Sequence, residues 1–323
     1  MLNQFQINSK DFDGPILLTG AAGCIGSWIM ALCSKAGVPV IAFDLSKDKS
    51  RLKLLMSDEE IAKITWLAGD IANTQAVEEA VKNNDIRAII HLAALQVPFC
   101  AADPIAGAKV NVVGTVNIFE AARQNNLKRL VYASSIAAHG ALHESKYLAT
   151  LYGAYKLCDE NLAKVYYQDW NVPSICIRPG IVYGVGRDQG MTSKTTVATL
   201  AVAANTPYTI PFSGPTSALH AGEVAAAFIK SISKERDGAQ VFDMNGIYTT
   251  VEKWVDILHK IQPKARIKIT GKAISLPFHL SDEPLRDYIG RYETIGLDFG
   301  IEQTFNAFKK LLSQGKISAE NLN

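Results

Sequence analysis

The sequence predicts an α/β fold: a doubly wound parallel sheet of the Rossmann type with a smaller C-terminal substrate lobe. Three observations predict it. Short apolar runs rich in β-branched residues recur along the first 180 residues, segments of helical periodicity separate them, and a glycine-rich turn follows the first run. Runs that are apolar throughout suit strands buried on both faces, and strict alternation with helices calls for parallel pairing through right-handed crossovers.

The strands are expected at 15–19 (PILLT), 38–43 (VPVIAF), 64–68 (ITWLA), 86–94 (IRAIIHLAA), 127–134 (LKRLVYAS) and 172–178 (VPSICIR), with helices near 25–36, 47–55, 73–83, 104–125 and 148–170. A closed barrel of strand–helix units would show the same alternation, but the nucleotide-type turn described below weighs against it. After about residue 185 the rhythm loosens. Helices are expected near 191–204 and 221–233, flanking the proline-bracketed TPYTIPFSGP, and shorter elements alternate to the end. The expected division is a cofactor-binding domain over 1–185 and a smaller, interleaved lobe over 186–323.

Composition narrows the function classes. Among 323 residues, 33 Lys and Arg face 31 Asp and Glu for a net charge of +2, with no basic block of the kind nucleic acid or an anionic membrane requires. Cys24, Cys33, Cys100, Cys158 and Cys176 are odd in number and scattered, without a CxxC pair or clustered histidines, so they read as reduced thiols and no metal site is expected. The first residues carry no apolar leader core and no run reaches membrane-spanning length, so a cytoplasmic location is the default expectation. Small-molecule chemistry is what remains.

The turn ILLTGAAGCIG places Gly20, Gly23 and Gly26 between a strand and a helix. Glycine there lets backbone approach a diphosphate, and the helix start supplies unpaired N–H groups and the positive end of the dipole. Asp44 closes the second strand 18 residues after Gly26. A carboxylate at that place accepts from the adenine-side ribose diol and repels a 2′-phosphate, which favours NAD over NADP. Lys47, Lys49 and Arg51 follow closely and pull the other way, although cations at a solvated helix start serve equally well.

The helical segment LATLYGAYKLCDEN offers two phenols before one ammonium. Tyr152 precedes Lys156 by four residues, about 40° round a helix, whereas Tyr155 precedes it by one, about 100° round. Only Tyr152 can share a pocket with Lys156. An adjacent ammonium stabilises a phenolate, so a phenol so placed can take a proton from a substrate hydroxyl while hydride leaves the same carbon, or return it in reduction.

The spacing GxxGxxG, with AGDIAN, HLAAL, NVVGTVNIFEAA, VYASSIAAHG, YGAYK and IRPGIVYGVG in that order, resembles the extended branch of the short-chain dehydrogenase/reductase superfamily, the NAD-dependent epimerases and dehydratases. The resemblance covers about 15–185 strongly and the rest loosely. It implies catalysis by Ser135, Tyr152 and Lys156, with Ser134 as the rival serine. It implies cofactor contacts from Gly20, Gly23, Cys24, Ile25, Gly26, Asp44, Asp70, Ile71, Leu92, Ala93, Ala94, Asn111, Tyr152, Lys156 and Pro179. It also implies a homodimer paired through the helices near 104–125 and 148–170.

Departures from the family pattern bear on the substrate. Ile181 stands in RPGIVYG where nucleotide-sugar members commonly carry Asn, and Thr216 stands where their diphosphate-binding arginine is found. The expected substrate is therefore a small carbohydrate-like compound (a sugar, sugar acid or hydroxy acid), with Ser135 and Arg187 as its contacts, since Arg187 can hold a carboxylate bidentately. Arg187 in a turn with a surface ion pair is the plainer reading. The alternatives are a nucleotide-sugar 4-epimerase or dehydratase with tightly bound NAD, and a non-catalytic nucleotide sensor. His91 is expected in the core or behind the site, and His139, His143 and His220 in loops.

Overall fold

In the computed structural model, which describes residues 1–320, the N-terminal part is a chain of strand–helix units. It runs β1 (Ile16–Thr19), α1 (Cys24–Ala36), β2 (Val40–Asp44), α2 (Ser50–Lys53), α3 (Asp58–Ala62), β3 (Thr65–Ala68), α4 (Thr74–Lys82) and β4 (Ala88–His91). Then come α5 (Val97–Ala102), α6 (Pro104–Ala108), α7 (Gly114–Gln124), β5 (Leu130–Ala133), α8 (Leu151–Trp170) and β6 (Ser174–Pro179). The remainder supplies β7 (Val182–Tyr183), α9 (Lys194–Ala203), β8 (Tyr208–Ile210), β9 (Pro215–His220), α10 (Ala221–Ser231), β10 (Ala239–Met244), β11 (Ile247–Thr250), α11 (Val251–Ile261), β12 (Ile267–Ile269), α12 (Glu283–Ile289) and α13 (Leu297–Ser313).

Seven strands form one parallel sheet in the order β10-β6-β5-β4-β1-β2-β3. The order reverses at β1, which pairs with β2 on one side and β4 on the other, Leu17 facing both Ile41 and Ile89. A crevice opens at such a reversal because the connections leave in opposite directions, and ligands bind there outside the carboxyl ends of the strands. Successive residues of β1 feed opposite faces, as a pleated strand requires. Ile16 and Leu18 pack with Trp28 and Phe228, while Leu17 packs with Phe119 and Tyr132. Each such fully buried aliphatic side chain contributes roughly 1.5–3 kcal/mol.

Three departures from the expected elements have local causes. The helix expected at 47–55 is only Ser50–Lys53, and a second short helix, α3, is capped by Ser57, whose hydroxyl accepts from Glu60 N while Glu60 accepts from Ser57 N. The helix expected at 104–125 carries one wide turn at Lys109–Val113 between α6 and α7, and buried Asn111 sits in that turn. The strand expected to reach residue 94 stops at His91, so 92–94 form a loop into the crevice. The late segment β10 pairs in register with β6, from Ala239 against Ser174 to Met244 against Pro179, so the C-terminal part returns to complete the cofactor-side sheet.

Candidate functional site

A cleft of about 500 Å³ opens at the carboxyl ends of β1, β2, β4, β5 and β6. The glycine turn forms its floor. Gly20 has φ +71°, and a Cβ there would lie 2.8 Å from Ala93 N; at Gly26 a Cβ would lie 2.2 Å from Gly20 O. Side chains at these positions would collide with the protein's own backbone, so glycine here lets the turn fold tightly against α1 and the loop after β4 and keeps its backbone open to a dinucleotide. Gly23 caps α1 without a side chain and the first turn holds no acid, so Cys24, Ile25 and Gly26 present N–H groups to the cleft.

At the end of the cleft beside β2, Asp44 Oδ2 accepts from Ala22 N at 2.9 Å and Oδ1 accepts from Ser46 N at 3.0 Å. These bonds fix the carboxylate at the lip of the turn and leave acceptor capacity on both oxygens. Asp70 and Ile71 line the same end, and Leu92, Ala93, Ala94 and Pro179 line the middle. Among the expected cofactor contacts, Asn111 alone lies off the wall. Its amide accepts from Leu95 N at 2.7 Å and donates to Leu95 O at 3.1 Å, so it holds the loop that does line the cleft.

Ser135, Tyr152 and Lys156 all line this cleft. Thr150 caps α8 by accepting from Gly153 N at 3.0 Å, which starts the helix just before Tyr152. A Cβ on Gly153 would lie 2.3 Å from Ala137 O, so glycine lets the segment after Ser135 pack directly on the helix. Ser135 Oγ accepts from Ala137 N at 3.2 Å, and its hydroxyl proton remains free to donate. Ser134 also reaches the wall, but its hydroxyl donates to Glu160 at 2.5 Å, and Arg178 pairs with the same carboxylate. That separates the two serines. Tyr155 points away, its hydroxyl donating to Pro104 O at 2.9 Å.

Asp159, which is not among the residues expected from the sequence, lies beneath Lys156. Its Oδ2 is 3.4 Å from Lys156 Nζ, and both side chains are buried. Burial alone would lower the Lys156 ammonium, but Asp159, helped by Tyr152, outweighs it and holds Lys156 above its ordinary value. Burial pushes the Asp159 carboxyl up, against the pull of the Lys156 ammonium beside it. The i, i+3 spacing of the two residues on one helix was the available signal.

His91 is buried and neutral, pushed down to about 3 by burial and then by Lys156. It bonds Thr19 Oγ1 at 2.7 Å and Thr115 Oγ1 at 3.2 Å, tying β1 and β4 to α7 behind the site. Two of the expected loop histidines are committed elsewhere. His139 pairs with Asp243 at 2.8 Å, and His220 is fully buried against Phe5, Trp28 and Tyr183. His143 is exposed. No cluster of metal-binding side chains occurs among the described residues.

Beyond Tyr152 the walls are mostly apolar, built by Ile136, Leu148, Ile181, Met191 and Leu276. Leu276 arrives from the C-terminal part, whose Ser275 O accepts from Leu148 N at 2.8 Å. Thr216 is 2% exposed and its hydroxyl turns to Ser217 O, while Ser217 Oγ accepts from Ile181 N. Neither Thr216 nor Ser217 faces the cleft. Arg187 does line it, on the side of the first turn of α1.

Residues 16–245 match the model of the NAD-dependent epimerase/dehydratase family. The UDP-glucose 4-epimerase uge1 of Schizosaccharomyces pombe is 29% identical over 40% of this chain and 37% of its own length. The chain spans about half the length, or less, of the curated relatives it matches. The UDP-glucose 4-epimerase of Thermus thermophilus, solved with NAD, superimposes with a TM-score of 0.75 at 22% identity over 91% of this chain and 99% of that one. The L-threonine dehydrogenase of Clostridium difficile does so with a TM-score of 0.76 at 20% identity over 94% and 99%. At these identities the structural likeness speaks for the fold.

Proposed function

The chain belongs to the NAD-dependent epimerase/dehydratase family, and from that membership we propose that it binds NAD and exchanges hydride with a secondary alcohol or ketone of a small carbohydrate-like compound. One observation carries the reading: Ser135, Tyr152 and Lys156 share a single cleft with the glycine turn and Asp44. In this reading the cofactor lies along the cleft with its adenine ribose at Asp44, its diphosphate over Gly20 to Gly26, and its nicotinamide end near Pro179 and Lys156. Bound NAD supplies the hydride acceptor. Ser135 donates to the oxygen on the reacting carbon, Tyr152 removes or returns the hydroxyl proton, and Lys156 keeps a positive charge beside the phenol. Asp159 keeps Lys156 charged in a place where burial opposes charge.

The small substrate is supported by the walls past Tyr152. Ile181 contributes an apolar face, Leu148 and Leu276 close the end, and Thr216 and Ser217 are turned inward, so the side chains that would meet a nucleotide are committed within the fold. On this reading residues 1–185 serve chiefly the cofactor and 186–323 the substrate, with β10 as the exception. The likeness to UDP-glucose 4-epimerases supports a second reading, a nucleotide-sugar 4-epimerase or dehydratase that retains NAD. Incubating the protein and NAD with sugars, sugar acids, hydroxy acids and UDP-sugars separates the two. Net reduction of NAD by a small compound supports the first; interconversion of a UDP-sugar without net reduction overturns it.

We also infer a homodimer. Leu151, Cys158 and Val165 recur at seven-residue spacing along α8 and are exposed, as are Phe99 and Ile105 on the neighbouring helices. Apolar groups repeated along one helix face are the usual material of a helix-paired interface. No helix among the described residues is long and apolar enough to cross a membrane.

A further inference from the structure

The end of the cleft nearest α1 holds a cation that the hydride chemistry does not use. The segment after β7 is tied to α1 by one hydrogen bond and lies close against its first turn. Trp28 Nε1 donates to Val185 O at 2.9 Å, and a Cβ on Gly186 would lie 3.7 Å from Ser27 Oγ and 4.0 Å from Cys24 Cα. Arg187 comes next in the chain and lines the same cleft as Gly23, Cys24 and Ile25. Gly186 and Gly190, at φ +87° and +99°, turn the backbone on either side of it.

Two arginines converge here, and they are employed differently. Arg51 donates to both oxygens of Asp188 and to Ala22 O, which uses its fork within the protein. Arg187 donates through Nη2 to Thr192 Oγ1 at a long 3.4 Å, and its Nε is buried with no hydrogen-bond partner. A buried guanidinium N–H without an acceptor is costly, and an anionic oxygen is its best complement. Next to it the uncapped first turn of α1 offers backbone N–H groups that seek the same kind of acceptor. The charge is felt there: burial pushes the Cys24 thiol up to about 11, and Arg187 is the strongest of the nearby charges acting on it, ahead of Asp188 and Arg51.

We propose that Arg187 binds the diphosphate of the dinucleotide, sharing it with the N–H groups at the start of α1, and does not bind an acidic group of the substrate. This replaces the substrate role expected for Arg187 from the sequence. It rests on NAD binding and not on the choice of substrate, so it is tested without turnover.

The test is calorimetric titration of wild type, Arg187→Ala and the milder Arg187→Gln with two probes: NAD, and adenosine, which has no diphosphate. NAD affinity is expected to fall at least about fivefold in both variants, as loss of a charge-assisted contact implies, with adenosine affinity unchanged. A smaller loss of NAD affinity overturns the proposal, and so does an equal loss for adenosine, which would report damage to the cleft. A rise in substrate KM with unchanged NAD affinity also overturns it, by assigning the guanidinium to the substrate, and leaves hydride transfer standing.

Discussion

The carboxylate of Asp44 accepts from Ala22 N at 2.9 Å, binding the end of β2 to the glycine turn that follows β1. The same group therefore shapes the turn and sets a negative charge where the adenine-side ribose would lie. Replacing it with serine keeps an acceptor and removes the charge. In Asp44→Ser the preference for NAD over NADP is expected to fall about tenfold or more, because a 2′-phosphate no longer meets a carboxylate and Arg51 and Lys47 lie in the following segment. Titration with both cofactors reads the ratio, and an unchanged ratio would remove Asp44 from cofactor choice.

Gly26 packs α1 against the turn with no room for a methyl group. Gly26→Ala is expected to displace the helix start, costing about 1–3 kcal/mol of stability and most of the NAD affinity. Alanine is otherwise the better helix former, so a Gly26→Ala protein as stable as wild type with full NAD affinity would show that the close approach is not required.

Glu223, on α10, is 4% exposed and accepts from Ile295 N. Burial, opposed in part by that bond, pushes its carboxyl up to about 8. The folded state then holds a proton that the unfolded chain releases near pH 4.3, so this group's contribution to stability is full at low pH and is lost as pH rises through about 8. His91 and His220, both pushed down to about 3 by burial, act in the opposite sense, but only below their ordinary value of 6.5. Between pH 6.5 and 8 the melting temperature of wild type is expected to decline, and Glu223→Gln is expected to flatten that decline. Parallel curves for the two proteins would contradict the assignment.

The exposed stripe Leu151, Cys158 and Val165 is expected to lie in a subunit interface. Charging its end with Val165→Glu should shift the mass found by light scattering from two chains toward one. A wild type that is monomeric at every concentration would refute the interface.

The apolar runs located β1, β2, β3, β5 and β6 to within about two or three residues; β1, β5 and β6 are buried within the sheet, whereas β2 and the edge strand β3 are only partly buried and were marked by their apolar, turn-bounded runs. β10 was not legible: AQVFDM is short, partly polar and half-buried at the sheet edge, and its register comes from β6 far back in the chain. The choice of Tyr152 over Tyr155 followed from helix geometry alone, and the structure supplies the reason Tyr155 is occupied, its bond to Pro104 O. Position in the motif put Ser135 ahead of Ser134, but the physical reason, the engagement of Ser134 by Glu160 on another element, is visible only in the structure. The orientation of Arg187 depends on Trp28 gripping Val185, a contact across 157 residues that no local pattern encodes.

The role proposed for Tyr152 is to move the proton in a hydride exchange with NAD. It is tested most directly by comparing Tyr152→Phe with Tyr155→Phe, reading NAD affinity by titration and turnover by nicotinamide absorbance on a small substrate that wild type oxidises or reduces. Tyr152→Phe should keep NAD affinity and lose at least about a hundredfold in kcat, the scale of a general acid–base contribution, while Tyr155→Phe stays near wild type. Full turnover in Tyr152→Phe would mean that another group moves the proton.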